Sequence, residues 1–146
     1  MTEQDNYSNS IGFYIHEIAK KSTERFNQEF RQIGITYSQF RVLNCLWKKG
    51  NLTQKEIHEI IAVRPSRLTG ILETLEKKEL VIKKTSHNDE RYRLICLTDK
   101  GRSLENNAWE TIHYFDEVVT ELYDESVNNQ MLENLKELSK RLDSWR

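Results

Sequence analysis

A single proline and five glycines leave this 146-residue chain few places to break, so most of it is expected to be helix. Cysteine is equally scarce. Cys45 and Cys96 stand alone without a CxxC spacing, which excludes a disulfide framework or a cysteine zinc site and reads both thiols as small buried hydrophobes. No apolar run approaches the roughly 20 residues of a membrane span. The opening Met1-Thr2-Glu3-Gln4-Asp5-Asn6 also lacks the basic start and apolar stretch of a secretory signal. A soluble cytoplasmic protein without a membrane partner is expected. There is no phosphate-cradling glycine loop and no Ser/His/Asp set, and His16, His58, His87 and His113 show neither His-x-x-x-His nor Cys/His clustering. Catalytic residues, metal ligands and cofactors are therefore not expected, and the chain does not read as an enzyme.

Net charge is nearly absent, at -1, but it is unevenly spread. Residues 64–102 carry ten Lys/Arg against six Asp/Glu, a net of +4, whereas residues 103–146 carry four against ten, a net of -6. A basic stretch on a near-neutral chain suits a polyanionic partner.

The apolar positions Ile11, Tyr14, Ile15, Ile18, Ala19, Phe26 and Phe30 fall close to a 3.6-residue period and predict a long amphipathic helix ending near Gly34. Thr36-Tyr37-Ser38-Gln39 and Thr53-Gln54-Lys55-Glu56 both have the capping-box form, each followed by apolar positions at helical spacing. Gly50 should stop the first of these helices. Pro65 suits the first position of another helix, whose stripe is Leu68, Ile71, Leu72 and Leu75. Two short helices around a tight turn make a helix-turn-helix candidate.

Past Leu80 the period changes. "LVIKKT" and "RYRLICLT", separated by "SHND", read as an antiparallel hairpin, which in this position is a wing. From Thr98 the pattern is helical again. Leu104, Ala108, Ile112, Phe115, Val119 and Leu122 are spaced three or four apart, and Met131, Leu135, Leu138 and Leu142 continue a coiled-coil-like seam. The terminal helices offer more apolar face than one small winged module could cover. Dimerisation is expected through Ile11, Tyr14, Ile15, Ile18, Phe115, Val119, Leu122, Leu135, Leu138 and Leu142.

The side of the Pro65 helix opposite its leucines holds Ser66, Arg67, Thr69, Gly70 and Thr74. Short hydroxyls and an arginine near a helix start can reach base edges in a major groove. An arginine on the hairpin tip could enter a narrow minor groove, and Asp89 could fix the direction of Arg91.

"DERYRLICLTDKG", Asp89 to Gly101, resembles the wing signature of the MarR family of bacterial transcription regulators. "RPSRLTGILETLEKKELV" resembles that family's recognition helix and its exit, and "ITYSQFRVLNCLWKKGNLTQKEI" the segment before it. The resemblance departs at Glu79, where the family usually has glycine, at Arg64, where it has a small or acidic cap, and at Gly70, where arginine is frequent.

The resemblance implies a mainly α fold with a small β-hairpin wing, a winged helix-turn-helix with long N- and C-terminal dimerisation helices. The chain is then one domain, 1–146, with a DNA-binding lobe at 36–99 and a helical dimerisation region at 8–34 and 100–146. It further implies a homodimeric repressor on a pseudo-palindromic stretch of double-stranded DNA, released by a small-molecule or redox effector. Arg91 would be the wing arginine and Asp89 its positioning partner, with Arg93 beside them. Ser66, Arg67, Thr69 and Gly70 would face the major groove behind Arg64, and Ser38, Thr53 and Gln54 would touch phosphates. A small aromatic or anionic effector would lie near Ile15, His16 and Arg41. The peroxide-sensing branch of the family uses a cysteine in the first helix. This chain has none there, which leaves Cys45 as the thiol option. The other functional reading is a winged-helix adaptor that binds protein without specific DNA readout.

Overall fold

The computed structural model describes residues 3–86 and 89–145, and the side chains of residues 6–85 and 93–145. The elements run α1 (Ile11–Phe30), α2 (Tyr37–Lys49), β1 (Leu52–Thr53), α3 (Gln54–Ile60), α4 (Pro65–Lys77), β2 (Val81–Ser86), β3 (Asp89–Leu97), α5 (Asp99–Ser103), α6 (Glu105–Thr120) and α7 (Glu125–Asp143). The chain forms two compact units, Met1–Thr111 and Ile112–Arg146, and the division falls within α6.

Local chemistry sets most helix ends. Ser10 caps α1, accepting from Phe13 N–H. Both expected capping boxes form: Thr36 accepts from Gln39 N–H while Gln39 accepts from Thr36 N–H, and Thr53 and Glu56 do the same. A short 3-10 turn, Arg31–Ile33, follows α1, and Gly34 closes it at φ 74°. Gly50, at φ 78°, ends α2. These left-handed values are open to glycine at no steric cost.

The first unit is built around side chains that water does not reach. Phe30, Val42, Leu43, Leu46, Ile57, Leu68, Leu72, Leu75, Val81 and Ile95 are each under 2% exposed. Phe26 stacks on Tyr37 at 5.0 Å and Phe30 on Phe40 at 5.2 Å, which fastens α1 to α2. Phe40 also meets Trp109 edge-on at 6.0 Å.

The wing is a three-stranded antiparallel sheet in the order β1-β3-β2, one strand more than the expected hairpin. The addition is brief. Leu52 and Thr53 pair with Ile95 and Leu94 just before Thr53 starts α3, so two residues serve as sheet edge and helix cap together. β2 and β3 pair from Val81 opposite Leu97 to Thr85 opposite Arg93, after which the register shifts and Ser86 faces Asp89.

The exit from α4 is tied down on several sides. Glu79 takes φ 59°, the left-handed conformation that a glycine would adopt freely. Leu80 N–H reaches back to the Leu75 carbonyl at 3.0 Å and Glu79 N–H to that of Glu76 at 2.9 Å. Thr98 Oγ1 donates to the Glu79 carbonyl at 2.6 Å, and Lys100 Nζ to that of Lys78 at 3.0 Å. Lys78 Nζ itself donates to the Gly34 carbonyl at 2.9 Å and to Gln39 Oε1 at 2.8 Å. Partial burial lowers the Lys78 ammonium from its ordinary value. Opposite the wing base, Gly101 packs so closely on Leu80 that any Cβ would collide with the Leu80 carbonyl. The Gly101 carbonyl accepts from Trp47 Nε1–H at 3.0 Å.

In the second unit, α7 is capped by Asp124, which accepts from Val127 N–H at 2.9 Å. Asn128 Nδ2 donates to the Thr120 carbonyl at 2.9 Å and the Tyr123 carbonyl at 3.2 Å, which closes the turn between α6 and α7. No residue of α7 is buried. Val119, Leu122, Leu135 and Leu142 are exposed and Phe115 and Leu138 half-buried; in the first unit Ile11, Tyr14, Ile15 and Ile18 are exposed as well. Among the described residues no helix is long and apolar enough to cross a membrane.

Candidate nucleic-acid interface

Helix α4 presents two faces of opposite character. Leu68, Ile71, Leu72 and Leu75 are buried, while Ser66, Arg67, Thr69 and Gly70 are exposed. Thr74 is exposed as well, and its hydroxyl is engaged within the chain: it donates to the Ile71 carbonyl at 2.7 Å and accepts from Gln39 Nε2 at 3.0 Å.

The start of α4 is unlike those of α1, α2, α3, α5 and α7, each of which has a side-chain cap. Arg64 occupies the cap position and supplies no side-chain hydrogen bond, Pro65 follows, and the first turn holds no acid. A helix start with unsatisfied N–H groups and the positive end of its dipole is suited to an anion.

Beside it lies an open cavity of about 780 Å³ lined by Thr23 of α1, Tyr37, Ser38 and Arg41 of α2, and Ala62, Val63, Arg64, Ser66 and Arg67 around the α3–α4 link. That lining holds three arginines and no carboxylate. Arg67 Nη2 donates to Ser38 Oγ at 3.4 Å, a long contact that leaves most of the guanidinium's donors for other partners. Of the residues expected around an effector, Arg41 lines this cavity and Ile15 and His16 do not. Thr23, Tyr37 and the Ala62–Val63 segment were not anticipated. They come together only because α2 crosses α1 and the α3–α4 turn, which no local pattern encodes.

Two expected phosphate contacts are engaged within the chain. Thr53 Oγ1 donates to Glu56 Oε1 at 3.0 Å, and the two hydrogen bonds from Thr53, backbone first, hold the Glu56 carboxyl below its ordinary value. Gln54 Nε2 donates to Thr69 Oγ1 at 2.8 Å, and Thr69 Oγ1 donates in turn to the Pro65 carbonyl at 3.1 Å. The link from α3 to the exposed face of α4 spans 15 residues of sequence and was not foreseen.

On the wing, Arg93 is exposed on the strand body opposite Thr85. The side chains of Asp89 and Arg91 lie outside the described residues, as does His87. Both cysteines are buried and free. Cys45 Sγ–H donates to the Arg41 carbonyl at 3.3 Å, and burial pushes its thiol up against the opposing pull of Arg41, Lys49 and Lys48. A thiol raised in this way is a poor nucleophile. Among the described residues no three His, Cys, Asp or Glu side chains gather to hold a metal ion.

A helix-turn-helix with its second helix exposed, followed by an antiparallel wing, defines a winged helix-turn-helix DNA-binding protein. The MarR family model matches residues 35–92. The organic hydroperoxide resistance transcriptional regulator of Bacillus subtilis is 31% identical over 100 residues, 68% of each chain. At that likeness the chain belongs to the MarR family and is a DNA-binding transcription regulator rather than an enzyme. The structure of reduced AbfR bound to DNA, from a protein of Staphylococcus epidermidis, matches with a TM-score of 0.74 and 25% identity over 97% of this chain and 98% of that one. The MepR–DNA complex of S. aureus matches with a TM-score of 0.84 over 91% and 98%, at 24% identity, and speaks for the fold.

Proposed function

We propose that this chain is a cytoplasmic homodimeric repressor that binds a pseudo-palindromic duplex through α4 and the wing, and that a small anionic effector releases it. The observation that carries the reading is the uncapped, acid-free start of α4 beside Arg41, Arg64 and Arg67, with Ser66, Arg67, Thr69 and Gly70 exposed beyond it. An anionic backbone meets the arginines and the free N–H groups, and short side chains meet base edges. Relatives solved on DNA support the same use of the fold.

Dimerisation rests on the exposed apolar residues. Leu122 is 73% exposed and Ile11 79%, and charged or polar residues would be expected at such positions in a monomer. Two recognition helices in successive major grooves would put the half-site centres about 10 to 10.5 base pairs apart.

The arginine-lined cavity favours a small anion over thiol chemistry as the releasing signal. It joins α1, α2 and the start of α4, so an occupant competes with phosphate for Arg64 and Arg67 and shifts α4 against α2. Cys45 is buried with its thiol raised, and α1 holds no cysteine.

Fluorescence anisotropy on duplexes selected from a randomised library tests the reading. Affinity should fall steeply with salt, as counterion release requires, and Arg67→Ala should weaken binding by about 1–3 kcal/mol with the helical signal unchanged. Binding that ignores salt and survives Arg67→Ala would point to a protein-binding adaptor.

A further inference from the structure

Glycine inside a helix is destabilising relative to alanine, so a helical glycine has to be explained by its surroundings. Gly101 is explained, because a Cβ there would strike the Leu80 carbonyl. Gly70 is not explained by the folded chain. It is the sixth residue of the thirteen in α4, its φ is not positive, and an added Cβ would meet nothing within 4 Å. Neither packing nor backbone conformation asks for glycine there. A missing Cβ on an exposed helix face leaves room for something outside the chain to approach the backbone.

The neighbouring Thr69 narrows what that something is. Its hydroxyl hydrogen goes to the Pro65 carbonyl at 3.1 Å, and one of its two lone pairs accepts from Gln54 Nε2 at 2.8 Å. With its single donor engaged, Thr69 has no hydrogen to give to N7 or O6 of guanine, N7 of adenine or O4 of thymine. Thr69 is exposed, and what its side chain can still offer a base edge is its methyl group. In a major groove only thymine presents a methyl of its own. A side chain this short also reaches a base edge only if the helix lies close, which the bare surface at Gly70 permits.

We infer that Gly70 is the point of closest approach of α4 to DNA, and that Thr69, held in position by Gln54, reads one thymine per half-site through methyl contact. The inference rests on the DNA-binding function proposed above. Thr69 is the contact residue and Gln54 its positioning residue.

The test starts from duplexes that the full-length protein selects from a randomised library, followed by anisotropy with thymine replaced by deoxyuridine one position at a time, which removes only the methyl. One symmetry-related pair of positions should be sensitive, by about fourfold per half-site. Thr69→Ser keeps the hydroxyl and loses the methyl, so it should bind the thymine and uracil duplexes alike. Gln54→Ala should lower the thymine-to-uracil ratio while leaving the melting temperature near that of wild type. Gly70→Ala should raise the melting temperature by about 2–4 °C and weaken binding about fivefold or more, a pairing of effects that an ordinary surface position does not give.

Uracil tolerated at every position of a tightly bound duplex, or Gly70→Ala binding as well as wild type, overturns this inference and leaves DNA binding standing. Failure to enrich any sequence overturns both.

Discussion

Helices α4 and α7 carry apolar stripes of the same kind, yet α4 buries all four of Leu68, Ile71, Leu72 and Leu75 whereas α7 buries nothing. Leu72 is 0% exposed and Leu135 51%. Periodicity therefore states that a face will leave water, not what will cover it. For α4 the cover is its own lobe. For α7 we assign the cover to a second copy of the chain.

The sharpest way to break this comparison is to place a charge on the α7 stripe. Leu135→Glu should cost several kcal/mol of association, because the carboxylate would be buried unpaired at the interface. Sedimentation should show monomers at concentrations where wild type is dimeric, with circular dichroism little changed. A dimer as tight as wild type would mean that α7 faces water in the functional protein and that the two stripes differ in role.

Leu72→Ala is the complementary change. Deleting a wholly enclosed side chain should cost about 2–5 kcal/mol of folding stability, read as a shift of the urea midpoint, whereas Leu135→Ala under conditions where the protein is monomeric should fall within about 0.5 kcal/mol. Equal losses at the two positions would remove the distinction between them.

A smaller effect sharpens a second contrast, between the two ends of α4. Its start is left open, and its exit is held by Thr98, Lys100, Gly34 and Gln39 around a left-handed Glu79. A side chain in that conformation costs about 1 kcal/mol that glycine does not. Glu79→Gly should recover part of it, partly offset by the freer unfolded chain, and appear as a melting temperature a few degrees higher, on the order of 1 kcal/mol or less. A lower melting temperature would show that the Glu79 side chain contributes more than its backbone strain removes.

The smallest effect concerns pH. Folding holds the Glu56 carboxyl below its ordinary value of 4.5 through its hydrogen bonds with Thr53. A depressed acid contributes stability above that value and loses it as pH falls through the lowered one. Wild type should therefore lose slightly more stability on acidification than Glu56→Gln, measured as melting temperature between pH 6 and pH 3. Identical pH profiles would assign the α3 cap to Thr53 alone.

The elements that could be read from residue order share one property, which is that their hydrogen bonds close within a few residues. Thr36 with Gln39, Thr53 with Glu56 and the turn at Gly34 satisfy backbone groups locally, so sequence spacing specifies them wherever the segment ends up. The wing was readable for a similar reason, since strands separated by a short turn need no other chain to set their pairing. β1 was not, because two residues hold no period, and its pairing with β3 is made across more than forty positions.

Residue order therefore determined the long helices, the caps at Thr36 and Thr53, the hairpin of the wing and the exposed face of α4, all products of side-chain period and local backbone satisfaction. Only the tertiary structure separated Gly101 from Gly70. Both are helical glycines, but one lies against a carbonyl and the other against open space, and that difference depends on what the distant chain brings alongside. The same holds for Gln54 on Thr69, for Lys78 on Gln39 and Gly34, and for the arginines gathered around one cavity. Such contacts form between segments remote in sequence, so their partners are chosen by packing of the whole lobe and not by the spacing of any one stretch.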